Sequence, residues 1–354
     1  MQITHVEVIP VELSLRTPFR TAVTAFDVER ISCVFVRIET REGQVAWGCA
    51  AFDADITGET VEQVTRVCHD CADRALDLNP LNTEFALAEL FGLTEGTPSA
   101  RCAFDIAFYD LLGLAARMPL HRLLGGYRHR IQTSITISIA PIKETVELAR
   151  YRARQGFRIF KIKGGLDPEE DVRRVQAVHT AFPDHTLRLD ADQGYTVAQA
   201  LDVARALEGM LEMLEQPTPA ADLNALRQVA RNSPVPILAD ESLTGPPSAL
   251  EIAGTRAAHG VSVKLATCGG LHCARQVDAI ARAAGMATMV GCINEPALLI
   301  AAGLALALSS PNVHYGDLDG HFDLIGDPTR PGFTFNEGWL VARDVPGLGC
   351  TVEL

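Results

Sequence analysis

The chain lacks an apolar run long enough to cross a bilayer: its longest, Ala297 to Leu308, has 12 residues and includes a glycine. It also lacks an excess of basic residues. Lys and Arg number 31 against 44 Asp and Glu, a net charge of −13, which argues against nucleic acid or an anionic membrane as partner. No cysteine framework is present. Nine cysteines, an odd number, are scattered, and the Cys68-His-Asp-Cys71 tetrad has no second pair. Zinc and redox motifs need a context that is missing here, so reduced thiols in a cytoplasmic protein are expected. The N-terminus, MQITHVEVIPVELS, alternates like a strand and lacks the charged-then-apolar layout of a signal peptide. At 354 residues and 47% hydrophobic, the chain is too long for one small core, and one large unit with a smaller one is expected.

Its texture changes along its length. Ile3–Leu13, Ile31–Glu39 and Gln44–Ala51 read as antiparallel strands, with Arg41-Glu-Gly43 as a turn. Thr60–Leu76 and Ala100–Ala116 carry apolar residues at helical spacing. The second is so apolar that it should be buried, with Asp105 and Asp110 either bonded to backbone or facing water. From Ile131 onward, β-rich runs alternate with the helices 142–155, 168–182, 197–208 and 270–284, the signature of a parallel sheet. Strands are expected to start near 131, 158, 186, 211, 236, 261, 286 and 312, enough for a barrel. After Tyr315 no further β/α unit follows, and the chain is expected to return to the N-terminal unit. The expected division is therefore 1–125, 126–320 and a returning segment 321–354.

Five charged residues punctuate the repeat. Lys163, Asp190, Glu215, Asp240 and Lys264 follow one another at intervals of 27, 25, 25 and 24, each closing a short apolar run. A strand, a helix and two tight turns consume about this many residues, so the spacing puts one charged group at the same end of five successive strands. In a β/α barrel that end carries the active site. Three carboxylates without His or Cys form a hard oxygen set suited to one Mg²⁺, with Mn²⁺ as a substitute, and leave about three of six positions open. Each acid, taken alone, could instead cap the helix after it. Three at successive strand ends, flanked by lysines, favour a site. Lys161 and Lys163 are two apart and share a face of their strand. Desolvation and a nearby cation are expected to depress a lysine there toward the working pH and make it a base. Lys264 approaches from the opposite side, so two lysines could exchange a proton across one carbon.

These runs, KIKGG, LDADQG, EQP, ADES and VSVKLATCGGL, together with RTPF at Arg16–Phe19 and ITGET at Ile56–Thr60, resemble the muconate-lactonizing subgroup of the enolase superfamily over nearly the whole chain. The resemblance implies an α+β capping domain over a modified (β/α)₇β barrel. It also implies that Mg²⁺ on Asp190, Glu215 and Asp240 holds a substrate carboxylate while a lysine abstracts the α-proton. Asp192 stands where relatives often have Asn, and Cys49 stands where a Gly-Glu pair is common after Trp47-Gly48.

Asp317 and Asp319, two apart after the eighth strand, could point together into the mouth and hold a cationic group of the substrate. This pair resembles that of the dipeptide epimerases, where it grips the α-ammonium. The resemblance then implies inversion of the C-terminal residue of a dipeptide, with Lys163 as base and Lys264 as acid in the L-to-D direction. Glu241 is expected to bond to Lys264. Relatives acting on Ala-Glu carry a basic residue where Thr24 aligns, and Phe19, Val23 and Phe26 make that loop apolar, so an uncharged, hydrophobic side chain is expected in the substrate. Arg20 is the counter-indication. Lys161, Thr136 and Cys292 are further candidates for substrate contact. Within the subgroup an N-succinyl amino acid racemase or a muconate-type cycloisomerase is the alternative. A catalytically silent barrel acting as a binding protein is the non-enzyme alternative, and the complete ladder argues against it. Homo-oligomerisation is left open, since nothing in the sequence identifies an interface.

Overall fold

The computed structural model describes residues 1–23 and 27–354; Thr24 and Phe26 lie outside the described residues. The N-terminal region opens with an antiparallel sheet of β1 (Ile3–Phe19), β2 (Val28–Thr40) and β3 (Val45–Ala51). Helices α1 (Val61–Ala75), α2 (Thr83–Phe91) and α3 (Pro98–Ala116) follow. β3 carries the small residues Ala46, Gly48 and Ala50 on one face, which lets α3 lie directly on it. A Cβ added at Gly48 would stand 1.8 Å from the Ala103 carbonyl oxygen, so only glycine fits there. As its composition requires, α3 is buried on nearly every side.

Asp105 and Asp110 are buried and bonded to backbone rather than facing water. Asp105 accepts the Leu271 and His272 N–H groups at 2.5 and 3.0 Å, capping the helix Leu271–Ala283. Asp110 accepts the Leu348 N–H at 2.7 Å. One helix thus ties the first sheet both to the later β/α unit and to the C-terminal segment.

The short strand β4 (Arg130–Gln132) precedes eight parallel strands, each paired with its neighbour in chain order: β5 (Ile135–Ile137), β6 (Ile159–Lys163), β7 (Thr186–Asp190), β8 (Leu211–Glu215), β9 (Ile237–Ala239), β10 (Gly260–Lys264), β11 (Ala287–Gly291) and β12 (Val313–Gly316). The sheet curls until its first and last strands meet: Thr133 bridges Gly316, and the Ser134 N–H donates to the Gly316 carbonyl at 3.1 Å. The expected start near 131 needs correction. Residues 130–132 pair with Trp339–Ala342 in a separate antiparallel sheet, and the barrel strand begins at Ile135. Both stretches are β-formers, and only the long-range partner separates them.

β13 (Leu324–Ile325) leaves the barrel and pairs with β1, extending the first sheet. The apolar run Ala297–Leu308 lies within a buried helix, Ala297–Ser309. Among the described residues no helix is long and apolar enough to cross a membrane.

Two measurements test this packing. Gly48→Ala should destabilise the fold by about 1–3 kcal/mol or more in chemical denaturation, because backbone must move to admit the methyl group; an unchanged midpoint would refute the contact. Burial pushes Asp110 up to about 7, with the Leu348 N–H opposing the shift. The folded state therefore keeps a proton that the unfolded chain releases, and stability falls as pH rises from the usual carboxylate range through about 7. Asp110→Asn removes this loss, so its melting temperature should gain on the parent's between about pH 5 and about pH 8. A difference that does not change with pH would contradict it.

Candidate active site

Alternation along the barrel strands decides which side chains face inward. On β6, Lys161 and Lys163 both do, on β7 Arg188 and Asp190, on β8 Met213 and Glu215, on β10 Ser262 and Lys264. The upper residues of these pairs, joined by Asp240 just after β9, form the mouth. Asp190, Glu215 and Asp240 are buried, with one carboxylate oxygen from each within 4.8 Å of the others. The lysines interleave with them. Lys161 Nζ lies 2.9 Å from Asp190 Oδ2, 2.8 Å from Glu215 Oε2 and 2.8 Å from Asp317 Oδ2. Lys163 Nζ donates to Asp190 Oδ2 at 2.8 Å and Asp192 Oδ1 at 2.7 Å. Lys264 Nζ donates to Asp240 Oδ2 at 2.6 Å. Lys163 and Lys264 therefore reach the carboxylate cluster through different acids, on strands separated by β7, β8 and β9.

The field of this cluster opposes the effect of burial. Burial alone would lower the lysines, but the carboxylates outweigh it: Asp190, Asp317 and Glu215 hold Lys161 well above its ordinary range, Asp190 and Asp192 hold Lys163 above it, and Asp240 and Glu241 hold Lys264 above it. In return, Lys161 and Lys163 hold Asp190 below the usual carboxylate range against the effect of burial. Burial and the charge of Asp190 push Glu215 well up, and its Oε1 is buried without a hydrogen-bond partner. Hard oxygens gathered from three strands, one of them unsatisfied and its group raised by like charge, are the donor set of a hard divalent cation; Mg²⁺ or Mn²⁺ fits, with Asp190, Glu215 and Asp240 as its holders.

A narrow cleft opens above the cluster. Thr136, Lys161, Lys163, Lys264, Cys292, Asp317 and Asp319 all line it, as does Glu241. Asp317 is engaged within the protein: Oδ1 accepts from the Ser134 hydroxyl at 2.5 Å and Oδ2 from Lys161. Although burial raises it, Lys161 brings it below its ordinary value. Asp319 accepts the Thr136 N–H at 2.6 Å and the Cys292 thiol at 3.5 Å, and burial with the neighbouring Asp317 pushes it up to about 6. The expected bond from Glu241 to Lys264 is absent among the described residues. Lys264 turns to Asp240, and Glu241 Oε2 is buried without a partner, its carboxyl raised to about 8 by burial and by Asp240. Arg20 is exposed and lines an adjoining cleft that shares Thr17, Phe19, Thr136 and Asp323 with the first.

Three lining or supporting groups escaped the sequence reading. Asp192 was noted only as a departure, because strand alternation ends at Asp190; its φ of 41° turns it back onto Lys163. Ser134 immediately precedes β5, two residues before Thr136, so the parity that pairs Lys161 with Lys163 extends to it. Asp53, from the loop after β3, lines the cleft from the other side, and no local pattern announces it.

Two family models account for the chain: Mandelate racemase / muconate lactonizing enzyme, N-terminal domain, over residues 3–125, and Enolase C-terminal domain-like over residues 144–353. An L-Lys-D/L-Arg epimerase of Methylococcus capsulatus is 35% identical over 99% of this chain and 99% of its own length. The substrate-liganded L-Ala-D/L-Glu epimerase from Bacillus subtilis superposes with a TM-score of 0.96 at 32% identity, covering 100% of both chains. A dipeptide epimerase from Enterococcus faecalis, complexed with Mg and L-Leu-L-Tyr, superposes with a TM-score of 0.96 at 33% identity, covering 99% of this chain and 100% of that one.

A ligand that binds only the folded state raises its melting temperature. Added Mg²⁺ should therefore stabilise the parent protein, and Glu215→Gln should abolish the shift while remaining folded. An equal shift in both proteins would exclude Glu215 as a metal holder.

Proposed function

The chain belongs to the mandelate racemase / muconate lactonizing enzyme group of the enolase superfamily and is an isomerase, and from that premise we propose that it is a Mg²⁺-dependent dipeptide epimerase. The observation that carries the reading is the pair of ammonium groups, Lys163 and Lys264, reaching one carboxylate cluster through Asp190 and Asp240, with two further carboxylates, Asp317 and Asp319, in the same cleft. Asp317 and Asp319 offer negative charge to the α-ammonium of a dipeptide. Its C-terminal α-carbon then lies between the lysines.

With Asp190 and its neighbouring acids engaged by a cation, Lys163 would no longer be held up by their charge, and as a neutral amine it takes the α-proton at Nζ. The C–H pair stays on the substrate as an enediolate, flat at the former α-carbon. Lys264 returns a proton from Nζ to the opposite face, which inverts the centre, and the roles exchange in reverse. A divalent cation held by Asp190, Glu215 and Asp240 supplies the positive charge that favours negative charge on the substrate carboxylate. Asp192 and Asp240 hold the two lysines in place between turnovers.

The finer reading, a preference for uncharged, hydrophobic side chains, is supported by Leu15, Phe19, Val23, Val28, Ile56 and Ile293 on the cleft wall and by the position of Arg20 outside that cleft.

Mixed L,L-dipeptides incubated in D₂O with Mg²⁺ should gain a deuteron at the C-terminal α-carbon, read by mass spectrometry, with apolar side chains leading. Lys163→Ala and Lys264→Ala should each slow inversion by about 10²–10⁴-fold. Full inversion rates in either variant would end the two-base reading. Exchange confined to N-succinyl amino acids would shift the assignment to the racemases of the group.

A further inference from the structure

One layer below the mouth lies a guanidinium that the proposed chemistry does not use. Arg188 precedes Asp190 by two residues on β7, so it enters the barrel on the same face, and it is 1% exposed. Its Nε donates to Glu212 Oε2 at 2.7 Å, and its Nη1 donates to the Gly316 carbonyl at 2.9 Å and to Ser134 Oγ at 3.2 Å. The Tyr315 ring lies 5.4 Å from the guanidinium carbon.

Two of these partners arrive through irregular pairing. Between β7 and β8 the register passes from Leu187–Leu211 to Arg188–Met213, which leaves Glu212 as an extra residue. Between β11 and β12 it passes from Thr288–Val313 to Met289–Tyr315, which leaves His314 extra. An extra residue in one strand re-aims the side chains around it. The first shift frees Glu212 to meet Arg188. The second puts Tyr315 on the inward face, and with it Asp317 two residues later.

Ser134 connects this layer to the mouth. A hydroxyl has one proton to give. Ser134 Oγ accepts from Arg188, and of the two acceptors within its reach Asp317 Oδ1 at 2.5 Å takes that proton in preference to the Gly316 carbonyl at 3.4 Å. Asp317 Oδ2 meanwhile faces Lys161, which also holds Asp190 and Glu215.

We infer that Arg188 and Ser134 are positioning residues for the substrate ammonium: the guanidinium orients the serine hydroxyl, and the hydroxyl fixes the Asp317 carboxylate between Lys161 and the cleft. The inference rests on the dipeptide reading for its function and on these contacts for its geometry. Asp317 meets the ammonium in the bound substrate and in the transition state alike, so loosening it weakens binding uniformly, raising KM and sparing kcat.

Ser134→Ala tests this on the full-length protein loaded with Mg²⁺. With a dipeptide that the parent turns over, KM should rise about tenfold or more while kcat changes little, the effect of losing one hydrogen bond to a charged group. Ser134→Thr restores the hydroxyl and should return KM close to the parent's. An unchanged KM, or a fall in kcat alone with a lowered melting temperature, would make this layer barrel packing and overturn the inference. A crystal structure of Ser134→Ala gives a reading independent of turnover: the Asp317 carboxylate should rotate away from its Lys161-bound position, and an unmoved carboxylate would also overturn the inference. If the parent inverts no dipeptide, the functional reading fails, and the crystal structure still decides the positioning.

Discussion

The buried ammonium of Lys161, held between carboxylates from three different strands, is the contact on which the barrel mouth depends. An ion removed from water costs several kcal/mol unless it is paired and hydrogen-bonded. Lys161 is 2% exposed and meets Asp190, Glu215 and Asp317 together. Those acids sit on or beside β7, β8 and β12, which lie on both sides of β6 around the curled sheet. A slip of one residue in any of these strands would turn its acid outward and leave the ammonium short of a partner. The charge cluster therefore fixes strand register, which apolar alternation alone specifies less tightly.

The two regions divide the work. The three clustered carboxylates and the lysines that meet them come from the barrel, whereas the first sheet and its loops contribute Leu15, Phe19, Val23, Val28, Asp53 and Ile56 to the cleft wall. This division holds only if the first region sits firmly on the barrel. Asp105 and Asp110 secure it by bonding backbone N–H groups far along the chain. Their burial raises both carboxyls to about 7, so burying them costs least where they are neutral, while the N–H bonds themselves favour the carboxylate. The cleft wall can change through its loops without touching the carboxylate cluster or its lysines.

Much of the site was legible because barrel geometry imposes a period. Asp190, Glu215 and Asp240 could be read as one cluster from their spacing, and Lys161 with Lys163 from their shared parity. The same parity would have pointed to Ser134. It could not point to Asp192, which leaves the strand at a positive φ, or to Asp53, which arrives from another sheet. The split of 130–137 into two strands of different sheets was also illegible, since both halves have β-forming residues and only Trp339–Ala342 claims the first.

What the sequence determined by itself was periodicity: alternating β/α units, five charged strand ends, and an N-terminal sheet with a helix so apolar that it had to be buried. Charge state and partnership were decided only in the tertiary structure. Local sequence carries no information about which carboxylate lies across the barrel, yet that distance sets the field at each nitrogen. Hence the acids, which outnumber the lysines, hold them up against burial, and Lys264 turns to Asp240 rather than to Glu241. Strand spacing is a local property of the chain, whereas electrostatic pairing belongs to the closed barrel.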